Sequence, residues 1–266
     1  MIKESLILPS QGYPYKGKLE GTSIMVRPLT TKAYKDFLIS GGEEGVTNLV
    51  DSCLVDSPIK AEDLVYQDEL AIYLKIRSMS LGSNIPVYSV CPGCGEKNVE
   101  TWDLMQLDCS YLYMDEYPIT VTLPESQKKV SIRIPTAKSQ RIAREEAQKR
   151  ATKFDKKLAD FLSSFQIASV LHVDGVGDIV QRADWYTELP LRDAVYIDQV
   201  LAKIQDFGIH TTRETECKSC KRKYTVPLQV TSDFFRPSIG DIEGVKVAKG
   251  TLAEGPKNST EIEQDS

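Results

Sequence analysis

Two short stretches of this chain carry most of the information about its fold: Cys91-Pro92-Gly93-Cys94-Gly95 and Cys217-Lys218-Ser219-Cys220-Lys221. Each is a Cys-x-x-Cys turn, and strand-forming residues such as Val87, Val99 and Val226 lie on either side. A tight turn with this spacing directs two thiolates towards one tetrahedral ion. Because the motif occurs twice, the sequence predicts a single zinc site with four ligands: Cys91, Cys94, Cys217 and Cys220.

Three other uses of paired cysteines compete with a zinc site. A redox-active pair needs a helix start, where the helix dipole lowers a thiol pKa, whereas Gly95-Glu96-Lys97-Asn98 favours a turn. Structural disulfides form in oxidising compartments, and no apolar signal segment follows Met1, so we expect a reducing compartment. Iron in the same cage of four thiolates is compatible with the spacing, and this alternative stays open. A rival arrangement also stays open, in which each Cys-x-x-Cys pair forms its own site that another subunit completes.

The chain shows the signs of an internal duplication. A helix-ending glycine lies nine residues before each motif, at Gly82 and Gly208, so one offset of 126 aligns both copies. Upstream, Val26-Arg27-Pro28-Leu29-Thr30 corresponds to Ile132-Arg133-Ile134-Pro135-Thr136 at an offset of 106. The shared order of strand, helices, glycine and Cys-x-x-Cys hairpin predicts two related halves.

The predicted fold class is α+β, with two pseudo-repeated halves that each run from a strand through helices to a zinc-knuckle hairpin. The first half is expected over residues 22–115 and the second over residues 116–236, joined by the shared four-cysteine zinc site. Residues 1–21 are rich in glycine, proline and tyrosine and predict an extended N-terminal arm. Residues 237–266 are acidic and lack aromatic side chains, so we expect a flexible C-terminal tail.

The long spacing between the two Cys-x-x-Cys motifs bears on the role of the metal. Residues 95–216 separate them, which is far more than in a self-contained zinc ribbon. A shared ion would join the halves and close this long loop, where a cross-link removes most entropy from the unfolded chain. We therefore expect a structural zinc with no open coordination position and no activated water.

Composition limits the partners that the chain can have. Its net charge of −5 and its pI near 5.3 argue against a large electrostatic footprint for nucleic acid. No apolar run approaches the ~20 residues of a membrane span, so we expect no membrane insertion. Two cysteines remain outside the predicted site, Cys53 and Cys109, and we expect both to be free thiols.

The sequence contains no recognisable catalytic motif. It lacks a phosphate-binding Gly-Lys-Ser/Thr loop, a Gly-x-Ser-x-Gly elbow and a His-Glu-x-x-His helix. Its two histidines, His172 and His210, are interpreted as structural residues. We therefore expect no enzyme activity and no small-molecule substrate.

Several stretches taken together resemble one family of phage proteins. These are Val26-Arg27-Pro28-Leu29-Thr30-Thr31-Lys32, the stretch 70–82, Cys91-Pro92-Gly93-Cys94-Gly95 and the second Cys-x-x-Cys after a helix rich in Leu and Asp. Their order and spacing are similar to those of a baseplate protein family from contractile-tailed bacteriophages of the T-even type. The resemblance covers about residues 20–235.

The resemblance implies a non-enzymatic protein of the baseplate hub, which acts either as a hub assembly factor (chaperone) or as a hub structural subunit. The expected partners are other phage hub and tail proteins. The expected location is the host cytoplasm during assembly and, for a subunit, the virion tail baseplate. The alternative is a zinc-ribbon adaptor protein that binds nucleic acid or a transcription complex.

Overall fold

The structure is a computed structural model that describes residues 2–154, 163–173, 176–230 and 232–235, so the predicted tail 237–266 lies outside the described residues. Helices and strands are both present along the chain, which confirms the α+β class. The helices are α1 Thr31–Ser40, α2 Gly42–Cys53, α3 Tyr66–Leu81, α4 Ala137–Phe154, α5 Ser164–Ser169, α6 Ile179–Thr187 and α7 Leu191–Ile204. The strands are β1 Glu4–Ile7, β2 Ser23–Val26, β3 Asn84–Val90, β4 Lys97–Asp103, β5 Cys109–Ser110, β6 Ile119–Thr122, β7 Lys129–Ile132, β8 Val170–Val173, β9 Gly208–Ile209, β10 Thr212–Glu216 and β11 Lys223–Pro227.

The N-terminal segment packs onto the core, whereas the sequence predicted an extended arm. Strand β1 pairs antiparallel with β2 in a register that places Glu4 opposite Val26. The loop between these strands buries the side chains of Leu8 and Tyr15. The glycines and prolines of this stretch do form turns, but burial of two large apolar side chains fixes the loop against the core.

Helix α3 lies at the centre of the first part of the chain. The end of the described chain returns to this helix, where the rings of Phe234 and Phe235 lie 5.7 and 4.9 Å from that of Tyr73. Arg77 Nε also donates a hydrogen bond to the carbonyl of Phe234 at 2.8 Å. A helix with apolar residues on every side is expected inside a core. Its buried apolar residues are Ala71, Ile72, Tyr73, Leu74 and Ile76.

The second part of the chain contains a three-stranded antiparallel sheet in the order β6-β7-β8. In the central strand β7, Val130 and Ile132 are fully buried, whereas Lys129 is exposed. This period of two is expected for a sheet with one face towards the core, because successive side chains of a strand point to opposite faces.

The hairpin β6–β7 closes in the same way as the hairpin β1–β2. After β1, the N–H of Leu8 donates to the carbonyl of Thr22 at 2.8 Å. After β6, the N–H of Leu123 donates to the carbonyl of Lys128 at 2.9 Å. Both leucines are fully buried. The two hairpins therefore share their closing contact, although the loop of the second hairpin is shorter.

Two arginines continue this correspondence at the ends of the strands. Arg27 follows β2, its N–H donates to the carbonyl of Cys53 at 3.0 Å, and its Nε donates to the carbonyl of Ser52 at 3.1 Å. Arg133 follows β7, and its N–H and Nε donate to the last two carbonyls of α5 at 2.8 and 3.3 Å. Each arginine therefore ties its strand to the end of a helix with the same pair of bonds.

Strands β5 and β9 connect the two parts of the chain. They pair antiparallel, with Cys109 opposite Ile209. Gly208 was predicted to end a helix, but α7 already ends at Ile204 and Gly208 is the first residue of β9. Nearby, Gln67 in α3 donates from Nε2 to the carbonyl of Gln205 at 3.1 Å. One core of buried apolar side chains includes residues from both parts. Within the described ranges, no helix has the length and apolar character that crossing a membrane requires.

Candidate metal centre

Two antiparallel hairpins carry the four cysteines at their tips. In the first hairpin, β3 and β4 pair so that Val90 lies opposite Lys97. In the second, β10 and β11 pair so that Glu216 lies opposite Lys223. These two pairs are related by the same offset of 126 that aligns the sequence motifs. The hairpins therefore share one register as well as one motif.

The backbone of the two turns is also the same. The N–H of Cys91 donates to the carbonyl of Glu96 at 2.9 Å, and the N–H of Cys217 donates to the carbonyl of Arg222 at 2.9 Å. In each turn, the N–H four residues further on donates back to the carbonyl of the first cysteine, at 2.9 and 3.0 Å. These bonds close each turn. The remaining N–H groups within the turn, such as that of Gly93, point towards a cysteine sulfur.

The second turn keeps this shape without the glycine of the first. Gly95 has φ 75° and Lys221, at the equivalent position, has φ 63°. Glycine adopts this left-handed conformation freely, whereas for Lys221 it costs roughly 1–2 kcal/mol. The second motif has no glycine at this position, so its turn is strained but keeps the geometry of the first turn.

The four sulfur atoms lie close together. The Sγ atoms of Cys91 and Cys220 are 3.6 Å apart, as are those of Cys94 and Cys217, and all four lie within 4.8 Å of one another. Four thiolates about 2.3 Å from one tetrahedral ion would be separated by about 3.8 Å. The residues present therefore fit a single metal ion shared by the two hairpins, as the duplicated motif predicts.

Hydrogen bonds to sulfur perturb the thiol pKa values unequally. The N–H of Cys220 helps to lower the pKa of Cys217 to about 6, against the opposing effect of burial. Burial raises the pKa of Cys91, but the N–H groups of Gly93 and Cys94 outweigh it and leave this pKa lowered. The N–H of Glu96 lowers the pKa of Cys94, but the neighbouring sulfurs raise it to about 12. Four clustered thiols oppose joint ionisation, and a bound cation removes that opposition.

Asn98 supports the site, and the sequence analysis did not identify it. Its side chain is buried, and its Nδ2 lies 3.8 Å from the sulfur of Cys217 and donates to the carbonyl of Glu96 at 3.2 Å. Its Oδ1 accepts the N–H of Lys218 at 3.4 Å. The available signal was a polar residue on the inward face of β4, the face that also carries Trp102.

Close packing between the hairpins brings the two cysteine pairs together. The hydroxyls of Ser89 in β3 and Tyr224 in β11 are 2.9 Å apart. A Cβ added at Gly93 would lie 2.8 Å from Cδ of Arg222, so the arginine stem lies against the first turn. The glycine of the first motif therefore allows close approach of the second hairpin.

The donor set suits a closed site. Four thiolates fill a tetrahedral coordination sphere and leave no position for water or substrate. The two remaining cysteines lie outside the cluster, and Cys53 is buried while Cys109 is half-buried. Burial raises the pKa of both thiols, as expected for unreactive free cysteines.

The sequence model of one family, described as T4 bacteriophage base plate protein, matches residues 10–236. No curated protein and no solved structure matches the chain. The family match covers both cysteine hairpins and nearly all of the described residues.

Proposed function

Because the chain belongs to the family of T4 bacteriophage base plate proteins, we propose that it is a non-enzymatic protein of the baseplate hub. It acts as a hub assembly factor or as a hub structural subunit, through contacts with other phage tail proteins. It works in the host cytoplasm during assembly, and a subunit remains in the virion tail baseplate. The family match over residues 10–236 is the observation that carries this proposal.

The chemistry of the described residues supports a structural role. Asp68 and Asp193 are fully buried, and both accept hydrogen bonds from nearby loops. The four clustered cysteines have the donor set of a closed metal site. These titratable groups all serve to hold parts of the chain together, which is the property that a rigid binding protein requires.

We further propose that the metal is a structural zinc ion bound by Cys91, Cys94, Cys217 and Cys220. Bound there, zinc supplies a cross-link between segments that are more than one hundred residues apart in the sequence. The sulfur separations of 3.6 Å within each cross-hairpin pair support this assignment. The two hairpin turns position the four sulfur atoms, through backbone N–H groups and the side chain of Asn98.

The two pseudo-repeated halves, 22–115 and 116–236, also remain a proposal, with a four-cysteine site between them. The matched hairpin registers, turn bonds and strand-ending arginines support it. The shared closing contact of β1–β2 and β6–β7 favours one revision, because it assigns strand β1 to the first half. The first half then begins near Glu4, and the separate arm is no longer needed.

The test is recovery of the tagged chain from infected cells at two stages, before and after tails are complete. A hub assembly factor would carry hub proteins at the early stage and be absent from purified tails. A hub subunit would be present in purified tails at a fixed ratio to the other baseplate proteins. Failure to recover any tail protein at either stage would contradict the proposed function.

A nucleic-acid binding assay separates this proposal from the alternative of a nucleic-acid adaptor. Within the second hairpin, Lys221 and Lys223 make ion pairs with Glu216 and Glu214 at 3.7 and 3.4 Å. These acids reduce the positive field that a phosphate backbone would need. Tight binding to labelled nucleic acid, with a steep dependence on salt, would favour the adaptor instead.

A further inference from the structure

The outward faces of the two cysteine hairpins differ in chemistry although their registers are the same. Tyr88, Val90 and Val99 of the first hairpin are 70, 60 and 47 % exposed. The positions at offset 126 on the second hairpin hold Glu214, Glu216 and Thr225, which are also exposed. We use the name first-hairpin face for the surface formed by four residues: Tyr88, Val90, Lys97 and Val99.

The second hairpin shows that the fold does not need apolar residues at these positions. Glu214 lies opposite Thr225 in the same register in which Tyr88 lies opposite Val99. A glutamate and a threonine are therefore compatible with the strands, the turn and the cysteine cluster. Contiguous exposed apolar residues favour association, and they are typical of surfaces that another molecule covers. The chemistry of the first-hairpin face therefore indicates binding rather than folding.

Lys97 indicates the charge of the molecule that covers this face. On the second hairpin, the equivalent residue Lys223 makes an ion pair with Glu214 at 3.4 Å. On the first hairpin, Tyr88 occupies the position of that acid, and Lys97 has no ion-pair partner among the residues that the structure describes. An ammonium group inside an apolar interface requires a carboxylate from the other side.

A groove extends the first-hairpin face on one side. It lies between β3 and β11, has a volume of about 690 Å³, and is lined on one wall by Tyr88 and Val90 and on the other by Thr225 and Pro227. A side chain from a partner can enter such a groove, and side chains that are buried in pockets contribute much of the binding energy in protein interfaces.

We propose that the first-hairpin face binds another baseplate protein, through an apolar surface that carries a carboxylate opposite Lys97. This inference rests on the proposed function, because that function supplies the class of partner. A second copy of this chain fits less well. A symmetric contact between two copies would place their Lys97 ammonium groups near each other.

The test replaces the face with the residues of the second hairpin. The variant Tyr88→Glu/Val90→Glu/Val99→Thr should retain the metal content and Tm of the wild type, since the same residue types occur in the second hairpin. Its recovery of identified tail proteins from infected cells should fall by about tenfold or more. The matched control Glu214→Gln/Glu216→Gln changes two residues of the second hairpin that do not line the groove, at the positions equivalent to Tyr88 and Val90, and it should leave recovery unchanged.

Charge variants test the carboxylate separately. Lys97→Glu should reduce recovery of the same tail proteins, and Lys97→Arg should preserve it.

If the triple variant loses its metal or its fold, a photo-cross-linking residue at Val99 replaces it. Cross-links to an identified tail protein from position 99, and none from position 214, which does not line the groove, would support the proposal.

The outcomes distinguish this inference from the proposed function. Undiminished recovery of tail proteins by the folded triple variant would overturn the assignment of this face and leave the proposed function intact. Recovery of no tail protein by the wild type would overturn both. A concentration-dependent dimer that the triple variant abolishes would show that a second copy covers the face, and it would overturn the choice of partner.

Discussion

Asp68 and Asp193 occupy the same position in two helices, as the third residue of α3 and of α7, and both carboxylates are fully buried. Asp68 accepts the N–H of Ser10 at 2.9 Å and the hydroxyl of Tyr15 at 2.7 Å. Asp193 accepts the N–H groups of Glu125–Ser126 at 2.8 and 2.9 Å. Each aspartate therefore fastens the loop of a two-stranded hairpin to the start of a helix, where the helix dipole also favours a negative charge.

Replacement of either aspartate by asparagine should destabilise the protein to a similar extent. Asparagine keeps the shape but offers one acceptor oxygen, so a donor of the loop is left buried without a partner. We expect Asp68→Asn and Asp193→Asn each to lower the free energy of unfolding by about 1–3 kcal/mol. Urea denaturation at pH 7 measures the change, with the exposed Asp115→Asn as a control that should change little. A large loss for one variant and none for the other would contradict the equivalence of the two sites.

The stability contributed by Asp68 should depend on pH. Burial raises the pKa of Asp68 to about 6, above the value of about 3.9 for an unfolded chain. The folded state therefore binds this proton more tightly, so the contribution is fully present below about pH 3.9 and is lost as the pH rises through about 6. Between pH 5 and pH 7 the wild type should lose about 1 kcal/mol relative to Asp68→Asn.

Denaturation at pH 5, 6 and 7 measures this difference, and Asp193→Asn is the matched comparison. Hydrogen bonds from the Glu125–Ser126 loop outweigh burial at Asp193 and leave its pKa lowered. The Asp193→Asn variant keeps Asp68 and should follow the wild-type trend over this range. Parallel curves for the wild type and Asp68→Asn would rule out a raised pKa at Asp68.

Metal analysis should find one zinc ion for each chain. Cys217→Ser removes one of four thiolates, so we expect loss of the metal and a fall in Tm of roughly 10 °C or more, because metal affinity contributes directly to folding. A strong chelator should have the same effect on the wild type. Elemental analysis and thermal unfolding measure both results.

Two other cysteine variants control for general effects of the substitution. Cys53→Ser and Cys109→Ser lie outside the cluster and should keep one zinc ion for each chain. One equivalent of iron in the wild type would support the closed four-thiolate site but reject zinc. Metal retained in both Cys91→Ser and Cys217→Ser would reject the shared site itself.

Gly208 should be less replaceable than Gly82, although the two glycines occupy equivalent positions in the sequence. Gly82 caps α3, whereas Gly208 is the first residue of β9. Both have positive φ, 88° for Gly82 and 112° for Gly208, so alanine at either should cost roughly 1–3 kcal/mol. A Cβ at Gly82 meets nothing within 4 Å, whereas at Gly208 it lies 3.1 Å from Cβ and Cγ of Gln67. We therefore expect Gly208→Ala to lower Tm more than Gly82→Ala. Equal effects would show that the Gln67 side chain can move away from the added Cβ without loss of stability.

Deletion of residues 237–266 should leave Tm nearly unchanged, since their composition cannot form a core. Deletion of residues 234–266 should lower Tm substantially. It removes Phe235, whose ring lies 4.9 Å from that of Tyr73, and the carbonyl of Phe234 that accepts from Arg77. Thermal unfolding of the two truncated chains tests both statements, and a large effect of the shorter deletion would mean that the tail contributes to the fold.

The sequence by itself determined the features that depend on local spacing. Two Cys-x-x-Cys turns between strand-forming residues predicted paired hairpins, and the sulfurs do lie within 4.8 Å. Gly82 was correctly predicted to end α3, whereas the prediction that Gly208 ends a helix was wrong, because α7 ends at Ile204 and Gly208 begins β9. The α+β class and the phage baseplate family were both predicted and are confirmed. Zinc and the duplication stay predictions.

Only the tertiary structure decided how polar residues far apart in the sequence are used. The N-terminal segment was predicted to extend, yet Ser10 and Tyr15 bind Asp68, which follows more than fifty residues later. Asn98 supports a sulfur on another hairpin, and although strand alternation places it on the inward face of β4, the local sequence does not indicate which group it contacts. The cost of burying a polar group depends on the partner that packing brings to it, and local pattern does not contain that information.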